Sequence, residues 1–293
     1  MCSSDLWMSR KLKVAAMVVR VVAAFLMFLG SALPLLAQPA DSQAVIAALR
    51  LPEMIGVLRD EGIAYGDDLE QELFPAAGGT RWASIVSQAY DRPKVTKRFE
   101  AAFSRELGDD PMLLGPIVDF FGTVRGQKIV GLELEARRAL LDQATEDAAK
   151  VTVDQMRAKH DPRLEQLTRF VTTSDLIEMN VAGALNANLA FYRGLAAGGA
   201  FGGQDMTEDN VLAEVWAQEG AIRADTEGWL YAFLALAYGP LSDADMQDYI
   251  AFSQTPAAQR LNMALFAAFD TVFATISHDL GLGAAQLLTG QDI

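Results

Sequence analysis

The stretch "FSQTPAAQRLN", residues 252–262, carries the signals of a tight corner between two helices. Thr255 is a preferred residue type for a helix N-cap, and Pro256 suits the first helical position, where a backbone N–H is not needed. The sequence therefore predicts a helix that ends before Thr255 and a longer one that begins at Pro256 and ends at Gly281 or Gly283. Apolar residues recur along the longer helix at three- and four-residue steps, which indicates one buried face: Leu261, Leu265, Ala268, Phe269, Val272, Phe273 and Ile276.

A second stretch, "FFGTVRGQKIV" at residues 120–130, has the same plan. Asp110 precedes Pro111 as an N-cap of the helix before this corner, as Ser242 does for the helix before the other. We interpret the repetition as an internal duplication, which predicts two similar multi-helix halves. The corresponding residues keep a constant offset: Phe120 matches Phe252, Thr123 matches Thr255, Gly126 matches Ala258, and Gln127 matches Gln259.

The corner itself is predicted to be structural. A threonine caps the second helix, and a small residue one turn later, Gly126 or Ala258, permits close approach of the two helices. The side-chain amides of Gln127 and Gln259 are expected to bond to backbone groups freed where the helices break. A plain solvent-exposed glutamine is the alternative.

These residues resemble a family of exported bacterial proteins that carry the domain of unknown function 2059. The motif of that family is a helix, then "FY-x-S/T-P-x-G-Q-K", then another helix. "YIAFSQTPAAQRL" matches it with alanine at the glycine position, and "VDFFGTVRGQKI" matches it with Val124 in place of proline. The resemblance implies an all-helical, exported domain and brings no activity with it.

The rest of the chain also has a helical period, so the predicted fold class is all-α. The N-terminal copy is expected over residues 38–160 and the C-terminal copy over residues 161–293, with the boundary near Asp161–Pro162. The glycine-rich stretch "GLAAGGAFGGQD", residues 194–205, discourages helix and is expected to be a hinge.

The first 37 residues have the features of a signal peptide. A basic region precedes an apolar run of about 16 residues, which is shorter than the roughly 20 needed for a membrane span. Cleavage is expected near Ala37, and a retained anchor is the alternative. Residues 1–7, which contain Cys2, precede the basic region and are expected to lie upstream of a true start at Met8. The sequence thus predicts a periplasmic or secreted protein without a transmembrane span in the mature chain.

The charge and the reactive residues exclude several classes of function. The 293-residue chain has 24 basic and 38 acidic residues, a net charge of −14 that repels nucleic acid. The only histidines, His160 and His278, are expected to lie at helix ends, where a cation suits the helix dipole. Neither has a metal-ligand partner at the usual spacing. We therefore predict no catalytic residue, no metal site and no cofactor.

The carboxylates are the remaining candidates for acid–base chemistry. Two groups run through helical regions, and we expect both to form solvated faces. The groups are Glu133, Glu135, Glu146 and Asp147, and Glu214, Glu219, Asp225 and Glu227.

Two functions are favoured by the sequence, and an enzyme that uses carboxylates alone stays open as a third. The first is a non-catalytic module that binds an unknown protein partner in the cell envelope. The second is a periplasmic protein that binds a small ligand or lipid in a pocket between the two halves.

Overall fold

The computed structural model describes residues 41–75, 78–201 and 207–290. Within these ranges the fold is all-α, as predicted, and contains no strand. None of the described helices is long and apolar enough to cross a membrane. The signal-peptide prediction lies outside the described residues. The helices are α1 Ser42–Ala48, α2 Leu51–Leu73, α3 Gly79–Ala89, α4 Arg92–Leu107, α5 Pro111–Phe121, α6 Val124–Ala139, α7 Gln143–Ala158, α8 Pro162–Thr173, α9 Leu176–Ala197, α10 Glu208–Trp216, α11 Glu219–Tyr238, α12 Asp243–Ser253 and α13 Pro256–Thr289.

The helix starts follow the local capping signals. The side chain of Asp110 accepts a hydrogen bond from the Met112 amide at the start of α5. Ser242 does the same for the Asp245 amide at the start of α12. Each cap satisfies a backbone N–H that has no partner within the helix. These helices therefore begin where the sequence predicts.

Helices α1–α6 form a first series and helices α8–α13 form a second series. The order of short and long helices is similar in the two series. In both series a shorter helix is followed by a residue with left-handed backbone, Arg50 with φ 48° and Asp175 with φ 50°. A long helix comes next, of 23 residues in α2 and 22 residues in α9. Helix α7 lies between the two series.

The last helix of each series packs against the fourth helix of the other. The ring of Phe269 on α13 lies 4.6 Å from that of Phe99 on α4. The guanidinium of Arg137 on α6 lies 5.7 Å from the ring centre of Trp229 on α11. Because helices of the two series pack against each other, one hydrophobic core contains buried side chains of both series.

The predicted end of α13 is wrong, because the helix continues past Gly281 and Gly283 to Thr289. A Cβ atom on Gly281 would lie 2.2 Å from the carbonyl oxygen of Phe191 on α9. The glycine therefore permits close packing of two helices and does not end one. His278 consequently lies inside α13 and not in its last turn.

The glycine-rich stretch is only partly a break. Helix α9 includes Gly194, where a Cβ atom would lie 2.1 Å from the carbonyl oxygen of His278. The helix ends at Ala197, and Gly199 then has φ 76°, a conformation that favours glycine. Residues 202–206 lie outside the described ranges.

Candidate functional site

Both corners are capped by their threonines. The Thr123 hydroxyl accepts a hydrogen bond from the Gly126 amide at 2.9 Å and donates one to the carbonyl of Phe120. The Thr255 hydroxyl accepts one from the Ala258 amide at 3.2 Å and donates to a carbonyl of the preceding helix in the same way. Pro256 occupies the first position of α13.

The two glutamines of the corners have equivalent contacts. Nε2 of Gln127 donates to the carbonyl six residues earlier, that of Phe121, and to the carbonyl of Ala48 at the end of α1, both at 2.8 Å. Nε2 of Gln259 donates to the carbonyl of Ser253 at 2.6 Å and to that of Thr173 at the end of α8 at 3.0 Å. Each amide thus joins the ends of two helices, as the first alternative from the sequence requires.

The two corners differ at the small residue. A Cβ atom on Gly126 would lie 2.3 Å from the carbonyl oxygen of Phe120, so the close approach is real there. Ala258 is buried and lines a cavity. The second corner therefore combines a structural cap with part of a cavity wall.

This central cavity has a volume of about 120 Å³ and lies where the two series meet. Phe121 and Glu133 come from the first series, and most of the remaining wall comes from the second. Aromatic rings dominate the wall, which is typical of sites for small apolar ligands. The wall includes the rings of Phe121, Phe170, Phe233, Tyr238, Tyr249 and Phe252.

One carboxylate lies in the wall of this cavity. Glu133 is 2% exposed, and its Oε1 accepts hydrogen bonds from the hydroxyls of Tyr238 at 2.5 Å and Tyr249 at 3.2 Å. Burial raises the pKa of both tyrosines well above the ordinary value, and the charge of Glu133 adds to the shift. Both hydroxyls therefore stay protonated at neutral pH and remain donors.

A second polar cluster follows one turn later on α6. The buried guanidinium of Arg137 binds both carboxylate oxygens of Glu61, at 2.6 and 2.8 Å. Burial raises the pKa of Glu61, and the guanidinium opposes that shift. Glu146 lines the adjoining cavity of about 160 Å³, and its carboxylate lies 2.6 Å from Nζ of Lys150.

The predicted solvated faces are therefore wrong at Glu133 and Glu146, which are both 2% exposed. At Glu133 the reason is tertiary, because the hydroxyls of Tyr238 and Tyr249, distant in sequence, donate to its carboxyl group. Glu146 pairs with Lys150 on its own helix and lines a cavity together with Glu61 and Trp229. Glu214 and Glu219 are partly buried, and the Glu219 carboxylate binds Arg223 at 2.7 Å. The other four carboxylates are exposed as predicted: Glu135, Asp147, Asp225 and Glu227.

The two histidines show no sign of a shared site. His160 is exposed, with φ 50°, directly after the C-cap of α7, so its predicted place at a helix end is confirmed. Nδ1 of His278 lies 3.5 Å from the carboxylate of the adjacent Asp279. Over the described ranges, no group of three or more His, Cys, Asp or Glu side chains is arranged to hold a metal ion.

Sequence reasoning missed the cluster of Glu133, Tyr238 and Tyr249. One signal could have found it: Tyr238 lies in a strongly apolar stretch and Tyr249 next to Ile250, and a tyrosine hydroxyl needs a hydrogen-bond partner once it is buried. The partner itself is more than a hundred positions away in the chain.

Comparisons with known proteins found no match, so the functional conclusion rests on the geometry of the residues described above. The resemblance to the exported family stays a prediction. No family model matches the chain, and neither a curated protein nor a solved structure is significantly similar to it.

Proposed function

We propose that the protein binds a small, largely apolar molecule in the central cavity and performs no chemistry on it. The observation that carries this proposal is the cavity of about 120 Å³ with aromatic walls at the meeting of the two series. An apolar protein cavity of about 150 Å³ binds benzene, so a ligand of roughly that size fits. This is the second function left open by the sequence.

The cavity also offers one place for a polar group of the ligand. Glu133 and the hydroxyls of Tyr238 and Tyr249 form a compact polar cluster in an otherwise mainly apolar wall. A few placed polar groups in an apolar pocket fix the orientation of a ligand. A single hydroxyl or amine on the ligand would meet this cluster.

The proposal of binding without catalysis rests on the chemistry of the same groups. The tyrosines are held in the protonated form by burial, so neither is a base at neutral pH. Their hydroxyls donate to Glu133 and so fix the orientation of its carboxyl group.

The test uses benzene as the probe and the purified full chain. Native mass spectrometry detects a co-purified small molecule, and chemical shifts follow a benzene titration. Ala258→Leu places a larger side chain in the cavity wall and should weaken benzene binding at least tenfold, since it removes most of the free volume. Ala251→Leu, on the exposed face of α12, is the matched control. Failure of the wild-type chain to bind benzene or to retain any small molecule would contradict the proposal.

We also infer that the two series arose by internal duplication. Support comes from the equivalent caps, from the paired contacts of Gln127 and Gln259, and from the left-handed residue before each long helix. Superposition of residues 110–140 on residues 242–272 measures the likeness directly. A poor fit of the two backbones would count against this inference.

Export through a signal peptide ending near Ala37 belongs to the same proposal, which places ligand binding in the periplasm or outside the cell. The basic region and the short apolar run support it. Cell fractionation and N-terminal sequencing of the mature protein test it. A cytoplasmic protein with an intact N-terminus would contradict it.

Binding of a protein partner in the cell envelope is the second candidate. One observation favours it: the Trp216 side chain is 64% exposed at the end of α10, and exposed aromatic residues are enriched in interfaces. Crosslinking in whole cells should capture a reproducible partner that Trp216→Ser loses. The absence of any reproducible partner would exclude this candidate.

A further inference from the structure

A surface groove adjoins the central cavity. It runs between α9 and α13, which lie side by side in parallel: Asn262 donates to the carbonyl of Ser174 near their starts, and Asn186 donates to Asp270 farther along. The groove has a volume of about 400 Å³. Phe266 forms part of the wall of both the groove and the cavity. Its side chain therefore borders both spaces.

The groove has an apolar floor. Ala182 and Gly183 on α9 and Ala267 on α13 are small, so they leave room between the two helices. Met263 is 49% exposed on one wall, and Met179 lines the same groove. Methionine side chains adapt to ligands of different shape, which suits a passage for an apolar chain.

Apart from Asn186, the polar residues around this floor are acidic. Asp175, Glu178 and Asp270 line the groove, and the described residues of its lining include no basic side chain. The charge of Glu178 is compensated by the guanidinium of Arg223, which donates to both carboxylate oxygens at 2.5 and 2.8 Å. These hydrogen bonds hold the pKa of Glu178 below the usual range, so the carboxylate stays ionised. Asp175 makes no capping hydrogen bond, and Asp270 accepts a hydrogen bond from the neutral side-chain amide of Asn186. The groove therefore favours a positive charge.

We propose that this groove is the entrance of the central cavity and that the ligand is a small cationic amphiphile. Its apolar tail passes Phe266 into the cavity, and its ammonium group stays in the groove near Asp175 and Asp270. The inference rests on the proposed binding function and adds the route and the charge of the ligand. Short-range attraction to exposed carboxylates then sets the preference for a cation over a neutral molecule of the same length.

Three matched probes separate the two proposals: n-hexanol, n-hexylammonium and n-hexanoate. They have the same tail and differ only in charge. At low salt n-hexylammonium should bind about three- to tenfold more tightly than n-hexanol, and n-hexanoate should bind more weakly than either. At about 1 M NaCl the difference between the cation and the alcohol should shrink, because salt screens exposed charges. Calorimetric titration of the full chain measures all three.

The double variant Asp175→Asn with Asp270→Asn removes the groove charges without a change in side-chain size. It should bring n-hexylammonium to the affinity of n-hexanol and leave n-hexanol unchanged. Asp279→Asn is the control, since Asp279 lies on α13 outside the groove and is exposed. Equal binding of the cation and the alcohol by the wild-type chain would overturn this inference alone. A preference for the cation that survives in the double variant would place the head group elsewhere. Failure of all three probes to bind would overturn the proposed function as well.

The position of Phe266 gives an independent test of the route. Phe266→Ala removes the ring that borders both spaces, so n-hexanol should enter and leave several times faster, with a smaller change in affinity. Exchange rates from NMR line shapes measure this. Unchanged rates would mean that the ligand reaches the cavity by another path.

Discussion

The rings of Phe120 and Phe252 lie almost parallel, with centroids 4.0 Å apart and planes inclined by 9°. Each ring belongs to the last turn before one of the two corners. The contact therefore joins the two corners directly, and with them the two series of helices.

A double-mutant cycle measures this contact. Phe120→Leu and Phe252→Leu should each destabilise the protein, and the double variant should lose less than the two single losses together. The expected coupling is about 0.5–1.5 kcal/mol, the range for aromatic pairs. Denaturant unfolding of the four proteins gives the value. Strictly additive losses would mean that the stack contributes nothing beyond burial.

Thr255→Ala removes the hydroxyl that caps α13. The loss should be roughly 1 kcal/mol in the free energy of unfolding, because the Ala258 amide loses its hydrogen-bond acceptor. Thr255→Ser keeps the hydroxyl and serves as the control. If the serine variant were as unstable as the alanine variant, the cap would not be the cause.

Gly126→Ala should be destabilising, although alanine normally favours helix. The added Cβ would meet the Phe120 carbonyl at 2.3 Å, and relief of that overlap costs on the order of 1–3 kcal/mol. Gly228→Ala on α11 is the matched control, since nothing lies within 4 Å of its Cβ position. It should be neutral or stabilising. Equal melting temperatures for the two variants would refute the close approach.

Stability should fall steeply above about pH 10, where the tyrosines of an unfolded chain lose their protons. Burial raises the folded-state pKa of Tyr65, Tyr90, Tyr238 and Tyr249 beyond that value, and that of Tyr192 to about 12. Above pH 10 the folded chain therefore holds more protons than the unfolded one, and stability decreases as the pH rises.

Denaturant unfolding between pH 8 and pH 11 measures this slope, and absorbance near 295 nm counts the ionised tyrosines. Tyr238→Phe should reduce the slope by about one proton. Ionisation of every tyrosine near pH 10 in the folded protein would contradict the burial.

Separate fragments of residues 38–160 and 161–293 should not fold alone. The fourth and the last helix of each fragment pack against helices of the other fragment. Phe99 contacts Phe269 and Arg137 contacts Trp229 across this boundary, so each fragment alone would expose these surfaces. A mixture of the two should recover helical circular dichroism and a cooperative transition. Cooperative folding of either fragment alone would show that the halves are independent domains.

Capping is the part of this structure that the local sequence decides. Thr255 and Pro256 determine the start of α13. The Thr255 hydroxyl accepts a hydrogen bond from an amide within the first turn, and Pro256 has no backbone N–H that would need a partner there. The spacing of apolar residues along a helix is equally local. So is the bond of Gln259 to the carbonyl of Ser253, six residues earlier. This is why the all-α fold and the corners could be predicted from residues alone.

Tertiary structure decided which side chains are buried and which helices meet. Gly281 could end a helix or let another helix approach, and only the position of Phe191 selects the second. The residues around Glu133 in the sequence do not distinguish it from an exposed glutamate, yet Tyr238 and Tyr249 from the other series cover it. A local pattern cannot contain such information, because the cost of burying a carboxylate is offset by donors that are distant in the chain and close only after folding.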